Sequence, residues 1–319
     1  MDEARAIALL KRALGAAARG ARIEVGIGDD AAVLRPGRQR LVFTVDACVE
    51  RVHFDRRWLS LADVGWRALS AAVSDVAAMG ARPLAALSNL GVPAGLGARE
   101  LEQLGRGQAA AARAFACPVA GGNISRADVL SITTAVLGEA KAPLLRSGAR
   151  AGDELWLIGD VGMAALGLEL LRSKRWPKRR APGFERCVEA WRRPRALIEK
   201  GLSLAGRASA AADVSDGLGT DVRHVAEASG VKLVLVESAL RDALPDALVR
   251  AAAALGADPL RWALAGGEDY ALLATGPARK RPRFAHRIGH AERGRGAVID
   301  SGGRRRALES GFDHLQAGE

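Results

Sequence analysis

Residues 61–80 read LADVGWRALSAAVSDVAAMG, and the fold turns on how that stretch is read. It is a largely apolar run of helical length, and Ser60 with Asp63 three residues on supplies a helix start. Upstream, residues 41–46 (LVFTVD) form a strand that ends on Asp46. Downstream, 84–91 and 128–138 read as strands with a helix at 98–115 between them, and 117–120 (CPVA) as a short apolar strand. Further out, residues 4–19 make an amphipathic helix, and 23–34 (IEVGIGDDAAVL) alternate into a turn and out again. Strands and helices alternate, which points to an α/β arrangement.

A boundary falls near 140–152, where EAKAPLLRSGARAGDE mixes Pro, Gly and charge before a new strand, ELWLIG, begins at 154. The chain of 319 residues therefore divides into 1–145 and 146–319. The second part reads as strand 154–158, helix 162–172, a basic insert, helix 194–205, the segment ADVSDGLGTD, helix 220–229, strand 231–236, helix 245–255 and strand 270–275.

Net charge is +11, yet it is local. Residues 172–195 and 279–306 each hold ten Lys/Arg against two acids, so the remainder of the chain is net acidic. Pro and Gly interrupt both runs, and few aromatics are interleaved apart from Trp176, Trp191 and Phe284, so a solvated Arg-rich surface is expected in place of a nucleic-acid face. No apolar run reaches the ~18 residues of a membrane helix. The acidic, amphipathic start MDEARAIALLKRAL argues against a secretory signal. Cys48, Cys117 and Cys187 lack metal-ligand spacing, and a reducing cytoplasm is expected.

The chemistry lies in acids placed among apolar neighbours. Asp29 and Asp30 share a Gly-bounded turn, Asp46 ends a strand, and Asp75 interrupts an apolar helix. Asp213 and Asp216 flank Ser215, and Glu268-Asp269 follows Gly266-Gly267 before a strand. A buried carboxylate costs several kcal/mol unless it is paired or binds a metal. Mg²⁺, which prefers oxygen and often binds few carboxylates together with substrate phosphates, suits the set. Each motif alone has a plainer reading as a turn, a helix cap or a strand entry. Gly121-Gly122-Asn123 would let the backbone approach a ligand, and Gly159-Asp160-Val161-Gly162 would open a helix able to seat phosphate. No Walker lysine motif is present.

Taken in order, IGDDAAVL (27–34), TVDACVERVHF (44–54), SDVAAMGARP (74–83), GGNISR (121–126), LRSGARAGDELWLIG (145–159), DVSDGLGTD (213–221) and AGGEDYALL (265–273) resemble the thiamine-monophosphate kinases. That family lies within the superfamily of aminoimidazole ribonucleotide synthetase and selenophosphate synthetase. The likeness runs from about residue 23 to 275, and GFDHL near the end extends it. The resemblance implies a two-domain synthetase-like fold. Its N-terminal domain, 1–145, binds metal and ATP and forms a dimer sheet or barrel; its C-terminal α/β domain is 146–319. It implies an active site between the domains, several Mg²⁺ ions, ATP as co-substrate, thiamine monophosphate as acceptor, and a cytoplasmic homodimer.

By position, the resemblance makes Asp30, Thr44, Val45 (through its carbonyl), Asp46, Asp75, Asn123, Asp213 and Asp216 metal ligands, with Asp46, Asp75 and Asp216 catalytic. Gly122, Asn123, Arg146 and Ser215 would contact ATP, and His53, Glu268 and Phe312 the thiamine phosphate. Two positions depart from the family pattern. Asn123 stands where an Asp is usual, and Arg51 where a small residue is common. A sister ATP-dependent synthetase, or a homologue that binds nucleotide or polyanion without catalysis, remains the alternative reading. No Cys precedes Cys48, where a selenophosphate synthetase would need its reactive residue.

Overall fold

The computed structural model describes residues 3–25, 33–34, 37–173 and 181–308. The chain divides into two compact units, one of residues 1–76 with 81–141, the other of residues 77–80 with 142–319.

The first unit runs α1 (Glu3–Leu14), β1 (Ile23–Val25), β2 (Val33–Leu34), β3 (Arg40–Val49), α2 (Leu61–Ala78), β4 (Arg82–Val92), α3 (Ala98–Ala114), β5 (Val119–Arg126) and β6 (Ser131–Ala140). Its main sheet has the order β3-β6-β4-β5, antiparallel except for the β4–β5 pair. The helix expected over 61–80 forms, and Ser60 caps it. Asp63 N–H donates to Ser60 Oγ at 3.2 Å, while Ser60 N–H reaches Asp63 Oδ2 at 3.4 Å. Caps of this kind stabilise a helix by about 1 kcal/mol. Val64, Leu69, Ala72, Val73 and Val76 are fully buried along α2.

Strand alternation sorts the sheet into two unlike faces. Thr44 of β3 and Ser88 of β4 look onto helices: Thr44 hydrogen-bonds Asp75 of α2, and Gln108 of α3 donates to Ser88 Oγ at 2.6 Å. On the other face of β3, Leu41, Phe43 and Val45 are 60%, 72% and 62% exposed, and Leu87 of β4 joins them. β3 is also an edge of this sheet.

The second unit runs β7 (Glu154–Ile158), α4 (Met163–Arg172), α5 (Phe184–Arg192), α6 (Ile198–Leu204), β8 (Ala210–Val214), α7 (Leu218–Ser229), β9 (Lys232–Val236), α8 (Glu237–Ala243), α9 (Asp246–Leu255), α10 (Leu260–Ala265), β10 (Ala271–Gly276), β11 (His286–Glu292), β12 (Gly296–Ser301) and β13 (Arg304–Ala307). Its seven-stranded sheet has the order β13-β12-β9-β11-β7-β10-β8. Only β9 and β12 pair in parallel. The central strands are fully buried at Leu155, Leu157, Ile158, Leu233, Leu235, Leu272 and Leu273.

Two parts of this unit differ from the sequence reading. The basic stretch 172–195 is not simply a solvated surface, because α5 lies within it and buries Phe184, Cys187, Val188 and Trp191. The basic stretch 279–306 carries three strands, with Arg305 paired to Glu292 at 2.8 Å and to Asp300 at 3.2 Å. Among the described residues, no helix is long and apolar enough to cross a membrane. Cys48, Cys117 and Cys187 are buried thiols outside any disulfide.

Candidate functional site

In the first unit, β3 and α2 bring two of the expected acids to one face. Thr44 Oγ1 donates to Asp75 Oδ2 at 2.6 Å, so the carboxylate in the middle of α2 is met by a hydroxyl from the strand. Asp46 lies two residues along β3 and so points the same way as Thr44. Val45, between them, turns its side chain to the exposed face. Hydroxyl and carboxylate oxygens make a donor set suited to a hard cation.

Asn123 sits one register row beyond Asp46. Asp46 aligns with Thr134, Ser88 and Gly122, whereas Asn123 aligns with Asn89, Thr133 and Ala47. Its amide nitrogen donates to Asn89 Oδ1 at 3.2 Å. Gly122 has a packing reason as well: a Cβ there would stand 1.8 Å from the Ser88 carbonyl oxygen, so β4 and β5 pair only over a glycine.

His53 closes the turn after β3. Val49 N–H donates to His53 Nδ1 at 3.1 Å, which makes Nδ1 the acceptor and leaves the ring proton on Nε2. Arg51 in the same turn has φ +71°, a left-handed conformation that explains why a small residue suits the position. Asp30 and Phe312 lie outside the described residues.

In the second unit, a tighter acid cluster gathers at the end of β8 and the first turns of α7. Asp213 is buried on β8, and Ser215 and Asp216 follow in the turn. Sequence reasoning assigned no role to Asp221 or His224. Among the described residues, Asp216, Asp221 and His224 place ligand atoms within 4.8 Å of one another. Asp221 accepts from the Asp216 N–H at 3.3 Å, and His224 Nδ1 lies 3.8 Å from its Oδ1. The available signal was spacing, since 221 and 224 share one face of a helix. Burial pushes the Asp221 carboxyl up to about 8, with Asp213 and Asp216 adding repulsion and Arg146 opposing it. Arg146 is exposed, in a segment held by Ser229 Oγ donating to its carbonyl at 3.1 Å.

Beside this cluster runs the Gly-Gly-Glu-Asp-Tyr segment. Glu268 N–H donates to the Ser215 carbonyl at 2.7 Å and Tyr270 N–H to that of Val214 at 2.9 Å. Trp191 Nε1 donates to Glu268 Oε2 at 2.7 Å. Asp269 turns the other way and accepts from Gly162 N–H at 2.6 Å and Ala164 N–H at 3.1 Å, at the start of α4. The helix start at 159–162 therefore seats the chain's own carboxylate, which replaces the phosphate-seat reading. Burial pushes the Asp269 carboxyl up to about 7 against the pull of those two N–H groups.

Acids on a two-unit α/β frame with a four-stranded N-terminal sheet define an AIR synthase-type protein, and residues 28–140 match the model of the AIR synthase related protein, N-terminal domain. A thiamine-monophosphate kinase of Aquifex aeolicus is 36% identical over 277 residues, covering 86% of this chain and 89% of that protein. One from Mycobacterium tuberculosis is 40% identical over 260 residues, covering 80% and 75%. A solved structure, AaThiL complexed with AMPPCP and TMP, superposes with a TM-score of 0.80 at 33% identity, covering 95% of this chain and 94% of that one. The chain belongs to the thiamine-monophosphate kinase family.

Proposed function

We propose that this chain transfers the terminal phosphoryl group of ATP to thiamine monophosphate, giving thiamine diphosphate and ADP. An oxygen of the acceptor phosphate forms the new bond to the γ-phosphorus as the bond to the β,γ-bridging oxygen breaks. The acceptor phosphate is already anionic near neutral pH, so the chain needs no general base. Its task is to hold two polyanions in line. Family membership at high coverage supports this reading, as does the solved relative that holds AMPPCP, an ATP analogue, together with TMP.

The acids fit Mg²⁺. Their donors are oxygen, and burial pushes Asp221 up to about 8, with repulsion from Asp213 and Asp216 adding to it; a divalent cation favours the charged form of such a group. Asp30, Thr44, the Val45 carbonyl, Asp46, Asp75, Asn123, Asp213 and Asp216 would hold the ions. Bound there, Mg²⁺ supplies charge neutralisation and alignment of the phosphates. Arg146, Ser215, Gly122 and Asn123 serve the ATP phosphates, and His53, Glu268 and Phe312 the acceptor. The bare face of β3 supports a homodimer built on that sheet, and the active form is cytoplasmic. Neither a membrane nor a nucleic acid takes part.

The test is ADP release with ATP, Mg²⁺ and either thiamine monophosphate or unphosphorylated thiamine. Thiamine diphosphate should form from the monophosphate alone, and Asp75→Asn should lose most activity at an unchanged circular dichroism spectrum. Turnover only with unphosphorylated thiamine overturns the acceptor, and a fully active Asp75→Asn variant makes Asp75 structural.

A further inference from the structure

Glu268 is fixed from several sides. Its backbone lies at φ +66° and that of Tyr270 at +52°, two of the four non-glycine residues with positive φ among those described. Such conformations are strained and persist where surrounding structure over-determines them. Here Val214 of β8 and Ser215 just after it hold the backbone, and the neighbouring Asp269 is locked onto the start of α4. The side chain has its own tether, since the indole of Trp191 on α5, 1% exposed, donates to Oε2.

An indole N–H can only donate, and a carboxylate can only accept. The bond therefore fixes which oxygen of Glu268 faces the core and the direction in which the carboxylate is presented. Core packing alone would be served by a Phe at 191, and the polar tip of a buried Trp calls for a partner. The partner here is a carboxylate whose backbone is already strained into place.

We propose that Trp191 is a positioning residue for the acceptor: it aims Glu268 at the organic, cationic portion of thiamine monophosphate and takes no part in binding ATP. This rests on the reading of Glu268 as an acceptor contact. The aromatic residue near the end of the basic run 172–195 thus belongs to acceptor selection and not to a polyanion surface.

The experiment compares wild type, Trp191→Phe, Glu268→Ala and the double variant. A hydrogen bond to a charged group is lost in Trp191→Phe, so the KM for thiamine monophosphate should rise about tenfold. The kcat and the KM for ATP should stay within about twofold. On the Glu268→Ala background, Trp191→Phe should add nothing, because its effect passes through that carboxylate. In the wild-type protein, the Trp191 indole N–H resonance should shift when thiamine monophosphate is added and stay in place when AMPPCP is added; this measurement needs no variant to fold. An unchanged KM for the acceptor, a loss in Trp191→Phe that persists in full without Glu268, or an indole resonance indifferent to the acceptor overturns the assignment. Wild-type protein with no turnover of thiamine monophosphate overturns the proposed function itself, and the assignment falls with it.

Discussion

Asn123 aligns with Asn89, and their amides meet side by side. An Asp at 123 would bring a negative charge to a place where the chain now offers a neutral oxygen, and the number of charged ligands sets how tightly a site holds a divalent cation. Asn123→Asp should lower the Mg²⁺ concentration for half-maximal activity by on the order of tenfold, read from a magnesium titration at saturating ATP. An identical titration curve would show that the position does not serve the metal. The acids themselves could be picked out from sequence because each stands among apolar neighbours, as Asp75 does in AAVSDVAAMG. Asp221 escaped notice for the opposite reason. It follows Gly-Leu-Gly-Thr in what reads as an ordinary first helical turn; spacing alone pairs it with His224, and the turn after β8 brings Asp216 against it.

The elements around β7 and α4 show what pattern reading reaches. The strand at 154–158 and the helix ending at 172 follow directly from hydrophobic periodicity. Helix α5 did not, because an arginine-rich surrounding run and the charged Glu185, Arg186 and Glu189 on its exposed side mask a stripe of Phe184, Cys187, Val188 and Trp191. Nor could sequence tell that α4's first N–H groups are taken by Asp269, some hundred residues downstream. That contact carries a pH signature. Asp269 holds its proton more tightly folded than unfolded, since burial raises it from 3.8 to about 7. Its contribution to stability is thus full below the unfolded value and is lost as the pH climbs through about 7. Replacing it by Asn should remove that decline, so urea midpoints of wild type and Asp269→Asn should diverge between about pH 4 and about pH 7. Parallel profiles would mean that the group does not titrate there.

For the whole molecule, the two units divide at 141/142, and the four residues 77–80 of the first half group with the second unit. Composition could not foresee that detail. The sheets are mixed and largely antiparallel, although alternating strands and helices usually signal parallel pairing. The exposed row Leu41, Phe43 and Val45 is a whole-molecule feature, since alternation predicts two faces but not which one is left uncovered. If a second copy covers it, Phe43→Asp should turn a sedimenting dimer into a monomer and make the unfolding midpoint independent of protein concentration. A Phe43→Asp protein that still sediments as a dimer would place the contact elsewhere.

The strand that bears this row is also the sheet's margin, so among the described residues no strand pairs with its outer backbone amides and carbonyls. A solitary copy thus combines a wet greasy ridge with an open template for strand addition, the two ingredients of aggregation. If a second copy covers that ridge, overproduction faster than copies can find each other should yield insoluble deposits in place of spare catalyst, and slower synthesis should recover it.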